Sequence, residues 1–247
     1  MIIMKLTYND IFKHSDRLNP ISAKTLLSAG RLAQFRPEKT LLDLGSGKGF
    51  PSLLWASTFG IKIEGFDLNR KYVNYANSYA KLLNLEHIAK YMCRDVRRLK
   101  PSHKYDIIAS LGIGITEVYG TAKTALENFK LMTNPGGFLM LGEPVWLVRP
   151  VPKTVQKALE TPEENLCAKV EMEHVLEDCD FQVQGSFVST KEDWEYYIRP
   201  VHVAMQEIMK SQPELSSESQ AIMKGFQAEH RAAGKHWDMI LWVAKSS

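Results

Sequence analysis

An apolar segment that runs directly into a glycine-rich turn constrains this chain more than any other feature. Residues 40–44 read Thr-Leu-Leu-Asp-Leu, and the next five, Gly45 to Gly49, read Gly-Ser-Gly-Lys-Gly. Glycines let the backbone turn sharply and come close to a ligand, and a helix after such a turn offers unpaired N–H groups at its N-terminus. The pattern therefore predicts a strand, a ligand-binding turn and a helix, in that order, as in an α/β sheet.

An acidic residue at the end of the next apolar segment indicates what the turn binds. Asp67 lies 18 residues after Gly49 and directly follows the predicted strand 61–66. A carboxylate at the tip of the second strand is placed to accept hydrogen bonds from both hydroxyls of a ribose. The sequence therefore predicts a nucleoside site.

The glycine spacing excludes two other nucleotide-binding turns. A dinucleotide-binding turn reads Gly-x-Gly-x-x-Gly, and counting from Gly45 its last position is Phe50. A phosphate-binding P-loop needs Ser or Thr after its Gly-Lys pair, whereas Gly49 follows Lys48 here. The turn must therefore serve a different nucleoside.

The segment Asp43 to Gly49 resembles motif I of class I S-adenosylmethionine (SAM)-dependent methyltransferases. Four later segments resemble further landmarks of that family in the same order: Phe66-Asp67-Leu68, Cys93-Arg94-Asp95-Val96, Tyr105 to Leu111, and Asn134 to Leu141. The resemblance implies a SAM-dependent methyltransferase with SAM as its cofactor. It also implies the residues that bind the cofactor, which are Asp43, Gly45, Ser46, Gly47, Gly49, Asp67, Leu68, Asp95, Val96 and Leu111. We expect Asp43 to organise the glycine turn through hydrogen bonds to backbone amides.

Apolar segments alternate with segments of helical periodicity along most of the chain. Further strands are predicted at about 88–93, 106–111, 138–142, 181–190 and 237–243, and a helix is predicted from Thr161 to about Asp180. This alternation predicts a Rossmann-like, doubly wound α/β sheet. By the family resemblance the sheet has seven strands, mostly parallel, with the last one antiparallel.

A long segment separates the last two predicted strands. Residues 191–236 are too many for a turn and carry their own helical periodicity, which Pro200 could kink and Ser211-Gln212-Pro213 should end. We expect one domain over 1–247, with a helical insertion at 191–236 and an N-terminal lid at 1–19. We also expect the insertion and the lid to cover the acceptor site.

Methyl transfer from a sulfonium is an in-line displacement in which the protein mainly positions the two reactants, an effect worth roughly 7 to 11 kcal/mol. A general base is needed only if the acceptor loses a proton in or before the transition state. The candidates for a base or orienting group are Glu143, predicted directly after the fifth strand, and His14 in the N-terminal segment. Candidates for the acceptor pocket are Trp146, Trp194, Tyr197, His202 and His236.

Several observations favour a small-molecule acceptor. Residues 142–146, Gly-Glu-Pro-Val-Trp, resemble bacterial small-molecule methyltransferases of the quinone-biosynthesis and cyclopropane-synthase types. The net charge is only +3 and no basic module is appended, so nucleic acid is not expected as a partner. The alternatives left open are an RNA or protein methyltransferase and a SAM-binding protein without transferase activity.

Composition sets the remaining expectations. Cys93, Cys167 and Cys179 are odd in number and lack metal-type spacing, which favours a reducing compartment and no metal site. No apolar run approaches 18 residues, and Met1 to Met4 is too short for a signal-peptide core. We expect a cytoplasmic monomer or homodimer without a membrane partner.

Overall fold

A computed structural model describes residues 5–100 and 103–247, and within these ranges seven strands form a single sheet. The strands are β1 (Thr40–Leu44), β2 (Lys62–Asp67), β3 (Ala89–Cys93), β4 (Tyr105–Leu111), β5 (Thr133–Trp146), β6 (Phe181–Val188) and β7 (Trp237–Ser246). Their order in the sheet is β3-β2-β1-β4-β5-β7-β6. Only β7 is antiparallel to its neighbours. The predicted fold class is therefore confirmed.

Helices connect and flank these strands. They are α1 (Tyr8–Ile11), α2 (Ala23–Leu32), α3 (Phe50–Phe59), α4 (Arg70–Leu82), α5 (Ile115–Tyr119), α6 (Ala122–Met132), α7 (Lys153–Ala158), α8 (Lys169–Asp178), α9 (Lys191–Ser211) and α10 (Ser216–Ala232). Polar side chains cap the N-termini of several of these helices. The Ser22 hydroxyl accepts a hydrogen bond from the Thr25 amide in α2, and the Asn69 side chain accepts one from the Lys71 amide in α4. Of the helices described, none has the length and hydrophobicity needed to span a membrane.

The centre of the sheet is covered on both faces. Successive side chains of a strand point to opposite faces, so Leu41 joins the core on one side, while Leu42 and Leu44 join the core on the other. All three leucines are completely buried. Burying each one contributes about 1.5 to 3 kcal/mol, so β1 is a rigid support for the turn that follows it.

A third apolar cluster joins the N-terminal segment to α9 and α10. Its buried members are Leu6, Ile11, Phe12, Val201, Ala204, Met205, Ile208 and Leu215, and Leu18, Tyr197, Ile222, Met223 and Phe226 pack against them. Polar contacts support the same junction, since the Leu6 amide donates to Oε1 of Glu218 at 2.9 Å. The apolar stripe of the insertion is therefore buried in part against residues 6–18.

Two helices differ from the prediction. The helix expected to begin at Thr161 begins at Lys169, and α7, at Lys153–Ala158, was not predicted. The carbonyl of Glu163 accepts a hydrogen bond from the Trp146 indole at 2.9 Å, which ties this segment to β5 and leaves only a short 3₁₀ turn at 163–165. A local helix-start pattern cannot foresee such a distant partner.

The fifth strand is longer than predicted, and α9 is not interrupted. β5 continues beyond residue 142 to Trp146 because it pairs with β7 over its whole length from Phe138. Helix α9 runs through Pro200 without a break. The buried side chains on either side of that proline, Ile198 and Val201, stabilise the helix against a cost of about 3 kcal/mol.

Candidate functional site

The turn after β1 requires glycine for both conformation and space. Gly45 and Gly47 have φ of +73° and +52°, in the left-handed region that side chains disfavour. A Cβ at Gly45 would overlap Cγ2 of Ile113, and a Cβ at Gly47 would lie 2.6 Å from Cδ1 of Leu18. Gly49 faces the protein interior, where a Cβ would lie 2.9 Å from that of Ala76. Gly45 and Gly47 are therefore in close contact with the side chains of Ile113 and Leu18.

Asp67 connects the end of β2 to the glycine turn. Its Oδ2 accepts from the Gly47 amide at 2.8 Å and its Oδ1 from the Asn69 amide at 2.7 Å. Burial raises the pKa of this carboxyl, and the two amides oppose that change. Leu44 of β1 pairs with Phe66 of β2, so the parallel strands deliver the turn and Asp67 to one edge of the sheet.

Asp43 does not organise the turn as expected. The contact to a turn amide comes from Asp67, whereas Oδ2 of Asp43 is buried and has no hydrogen-bond partner among residues 5–100 and 103–247. The side chain lies inside β1, 3% exposed. Burial raises the pKa of Asp43 to about 7. The nearby charge of Asp67 also raises this pKa, whereas the Ser52 hydroxyl lowers it.

The third strand delivers Asp95 to the same edge. Its carboxylate accepts from the Arg97 amide at 3.0 Å and pairs with the Arg97 guanidinium, with Nη2 at 2.6 Å from Oδ2. These hydrogen bonds lower the pKa of Asp95 to about 2. The remaining predicted cofactor contacts are an exposed Leu68, a half-buried Val96 and a buried Leu111.

The N-terminal segment lies directly on the glycine turn. Lys48, almost fully buried, donates from Nζ to the carbonyls of Phe12 at 2.7 Å and Ser15 at 2.6 Å. Burial lowers the pKa of Lys48, and the charge of Asp16 opposes this. This contact was not predicted from the sequence, although a lysine between two turn glycines was a usable signal.

A cavity of only about 30 Å³ remains between this segment and the turn. It is lined by residues 16–19, Asp43, residues 45–48, Phe50, Pro51 and Leu111. That volume corresponds to roughly one water molecule. Since Leu18 lies over Gly47 and Ile113 over Gly45, any ligand that contacts the backbone of these glycines would have to displace the two side chains.

Glu143 was predicted to lie just after the fifth strand, but it lies within β5 and is buried. The last β5 residue paired with β4 is Gly142, so Glu143 extends past β4, where its carboxyl faces the amides of Gly114 and Ile115 at the start of α5. Burial raises its pKa to about 8, and these amides lower it. Oε1 has no hydrogen-bond partner in the described part of the chain. The side chain is placed to hold the loop after β4.

His14 and the aromatic candidates occupy other positions. His14 is partly exposed, and its Nε2 lies 2.8 Å from Oε2 of Glu207 in α9, an oxygen that Lys13 also contacts. Trp146 and Trp194 are buried, and their indole N–H groups donate to a backbone carbonyl and to a carboxylate of β7. Tyr197 packs in the junction between the N-terminal segment and α10.

His202 and His236 each have a ring nitrogen without a hydrogen-bond partner among the residues described. Neither residue lines the cavity above the glycine turn. Within 5–100 and 103–247, no three His, Cys, Asp or Glu side chains are grouped to hold a metal ion. The residues that the structure brings together are therefore the turn, Asp43, Asp67 and the segment 16–19.

Replacing Glu143 is expected to change how stability depends on pH. The folded protein holds a proton on Glu143 up to about pH 8, whereas an ordinary glutamate releases it near 4.5. The wild type therefore loses stability as the pH rises between these values, and Glu143→Gln lacks this loss. The melting temperature of the variant relative to the wild type should increase from about pH 5 to about pH 8.

The exposed Glu164 provides the control, because Glu164→Gln should show no such trend. A pH-independent difference between Glu143→Gln and the wild type would contradict a buried, protonated Glu143. Circular dichroism melts in matched buffers are sufficient for this measurement.

Similarity to known proteins agrees with this geometry. A family model described as a methyltransferase domain matches residues 35–229. The protein YjhP of Escherichia coli K12 is 23% identical over 197 residues, 79% of each chain. The X-ray structure of YjhP from E. coli matches with a TM-score of 0.86 at 20% identity, covering 97% of this chain and 98% of that one.

Two further similarities involve named methyltransferases. The crystal structure of a SAM-dependent methyltransferase from Thiobacillus denitrificans in complex with S-adenosyl-L-homocysteine (SAH) has a TM-score of 0.88 at 21% identity, with 100% of each chain covered. Over 65 residues, 26% of this chain and 22% of the relative, the sequence is 37% identical to geranyl diphosphate 2-C-methyltransferase of Saccharopolyspora erythraea. Because the family model covers well over half of the sequence, the chain belongs to the methyltransferase domain family, which confirms the resemblance that its motifs carry.

Proposed function

We propose that this protein transfers a methyl group from SAM to a small-molecule acceptor. The observation that carries the proposal is the contact between Asp67 and the amide of Gly47, which joins the two elements of a nucleoside site at one sheet edge. In an open α/β sheet this edge is where ligands bind. The SAH complex of the similar T. denitrificans enzyme supports SAM as the methyl donor.

The residues at this edge fit the parts of SAM. Each oxygen of Asp67 accepts one backbone N–H and keeps a further lone pair for a ribose hydroxyl. The exposed Leu68 offers an apolar surface to adenine, and Asp95 offers a carboxylate to its amino group. Bound SAM supplies a methyl group that its sulfonium charge already activates.

Residues of this chain position the reactants and exclude water from the site. Glu143 holds the loop that begins α5, and that loop places Ile113 over Gly45. His14 ties the N-terminal segment to α9 through Glu207. We assign both residues to positioning the acceptor side of the site, where a misplacement of about 1 Å is enough to slow the reaction strongly.

Residues 5–19 and 191–236 act together as a cover in this proposal. They share the third apolar cluster, and Lys48 fixes the N-terminal part directly over the glycine turn. Because the cavity is small, the N-terminal segment has to move when a ligand enters. When this segment closes again over the ligand, it excludes water from the site. The whole chain is then one domain with an attached cover.

Amide hydrogen exchange should report this motion. Adding SAH is expected to change exchange in residues 5–19 and in α9, because the cover must open and close again over the ligand. The turn at 45–49 should be protected in the same experiment. The far end of the sheet, around Asp106, provides the internal control with unchanged exchange. Changes confined to the turn and Asp67 would show that the cover is only structural.

A small acceptor is favoured over a macromolecule. The net charge of +3 gives little attraction to nucleic acid, and the partial relative from S. erythraea is named for a small substrate, geranyl diphosphate. The test is incubation with methyl-labelled SAM and a panel of metabolites, RNA and bulk protein. Label in RNA or protein would overturn the small-molecule proposal. SAH binding without transfer to any acceptor would favour a protein that binds SAM for another purpose.

A further inference from the structure

A larger cavity lies at the carboxyl edge of the sheet, beside α5. Its volume is about 730 Å³, which is within the range of small-molecule sites. Its walls are formed by the starts of α5 and α6, by Pro144 of β5, by residues between 160 and 167, and by Trp237. The loop that places Ile113 over Gly45 leads directly into α5. The same loop therefore connects the glycine turn to this second cavity.

Carboxylates determine the charge of the larger cavity. Of the described residues that line it, four are glutamates and one, Arg149, is a cation. Nη2 of Arg149 lies 3.1 Å from Oε2 of Glu171, so these two charges compensate each other. The other three, Glu117, Glu160 and Glu164, form no ion pair with any residue of 5–100 or 103–247. The cavity therefore carries an uncompensated negative charge.

A buried carboxyl group lies under this cavity. Side chains alternate along β5, so Glu143 points to the same face of the sheet as Leu141 and Val145. These two residues pack in the core that also contains buried side chains of α5, α6 and α8. The side chain of Glu143 is 4% exposed, and its Oε1 has no hydrogen-bond partner in the described part of the chain. A buried acceptor of this kind is costly unless a ligand donates to it.

Electrostatic effects place this carboxyl next to the cavity wall. Burial is the main cause of the raised pKa of Glu143, and the charge of Glu117 adds to it. Burial is also the main cause of the raised pKa of Cys167, and the charge of Glu143 contributes. Glu117 and Cys167 both line the cavity. The orphan acceptor and the unpaired carboxylates therefore surround the same space.

This combination favours a cation with N–H donors. An ammonium group can donate to an unpartnered carboxyl oxygen, and nearby carboxylates attract its charge. Trp237 contributes an aromatic ring to the wall, and ammonium groups bind well against such rings. A ligand that carries a carboxylate or a phosphate would instead meet like charges on several sides.

We propose that this cavity is the acceptor site and that the acceptor carries an ammonium group, which Glu117, Glu160 and Glu164 attract and which donates to Oε1 of Glu143. The inference rests on the proposed function and adds the chemical class of its acceptor. The acceptor then reaches the cofactor past the loop after β4.

Two probes of similar size and opposite charge provide the test. Phenethylamine carries an ammonium group, and 3-phenylpropionate carries a carboxylate in its place. In saturation-transfer NMR, with and without SAH, the wild type should bind phenethylamine and not 3-phenylpropionate. An exposed ion pair changes affinity by a factor of roughly two to five, so the triple variant Glu117→Gln, Glu160→Gln, Glu164→Gln should bind phenethylamine roughly ten- to a hundredfold more weakly. The double variant Glu117→Lys, Glu160→Lys should reverse the preference between the probes.

The exposed Glu86 lies outside the cavity and provides the control, since Glu86→Gln should leave the binding of both probes unchanged. Unchanged melting temperature and SAH affinity establish that the triple variant is folded. Equal binding of the two probes by the wild type would overturn the proposal, and so would unchanged phenethylamine affinity in the triple variant. Transfer of labelled methyl only to anionic or uncharged acceptors would uphold the proposed function and reject this inference. Failure of the wild type to bind SAH would reject the proposed function, and with it the acceptor role of the cavity.

Discussion

Gly47→Val is expected to abolish SAH binding while the protein remains folded. The backbone at Gly47 has φ of +52°, where a branched side chain costs about 1 to 2 kcal/mol. A Cβ there would lie 2.6 Å from Leu18. Leu18 can rotate away, but the added side chain then fills the space that the ligand needs. Calorimetry should show a loss of more than about a hundredfold in affinity, since steric overlap and strain act together.

A substitution at Gly136 provides a control that separates backbone strain from steric overlap. Its φ of +71° is equally left-handed, but nothing lies within 4 Å of a Cβ built there. Gly136→Val should therefore lose a comparable amount of stability and bind SAH normally. Melting temperatures of both variants establish that they are folded. SAH affinity in Gly47→Val within a few-fold of the wild type would mean that the glycine turn is not the cofactor site.

Much of this site could be predicted because its signals are local. The strand Thr40–Leu44, the turn and the start of α3 are contiguous, and Asp67 is the last residue of the next strand. Apolar segments and glycines encode such elements directly. Parallel strands then bring the turn and Asp67 together without any further information from the sequence.

The contacts that close the site could not be predicted in this way. Lys48 donates hydrogen bonds to carbonyls that are 36 and 33 residues away. Leu18 lies over Gly47 and Ile113 over Gly45, although both side chains are distant from the turn in the sequence. Hydrophobic periodicity identifies the buried face of an element but not the element that it meets.

Glu143 shows how a strand boundary changes an interpretation. The predicted fifth strand ended at residue 142, which would have left the carboxyl of Glu143 in the ligand crevice. Pairing with β7 carries β5 through Glu143 opposite Ile240. The side chain is therefore buried toward the loop after β4, and we propose that it positions this loop.

Asp67→Ala is expected to weaken SAH binding by more than about a hundredfold. The loss of hydrogen bonds from ligand hydroxyls to a charged acceptor accounts for roughly ten- to a hundredfold. The same substitution also removes the acceptor for the amides of Gly47 and Asn69, so the turn loses its contact with β2. Asp67→Asn keeps one carbonyl oxygen as an acceptor and should therefore show a smaller loss.

Asp106 provides a matched control for the structural part of this effect. It lies near the start of β4, at the opposite end of the sheet, and its Oδ2 accepts from the Thr40 amide at 3.0 Å. Asp106→Ala removes a comparable contact far from the site, so it should lower the melting temperature and leave SAH affinity unchanged. If Asp67→Ala and Asp106→Ala affect stability alike and neither changes SAH affinity, Asp67 supports the fold only, and the nucleoside site must be sought elsewhere.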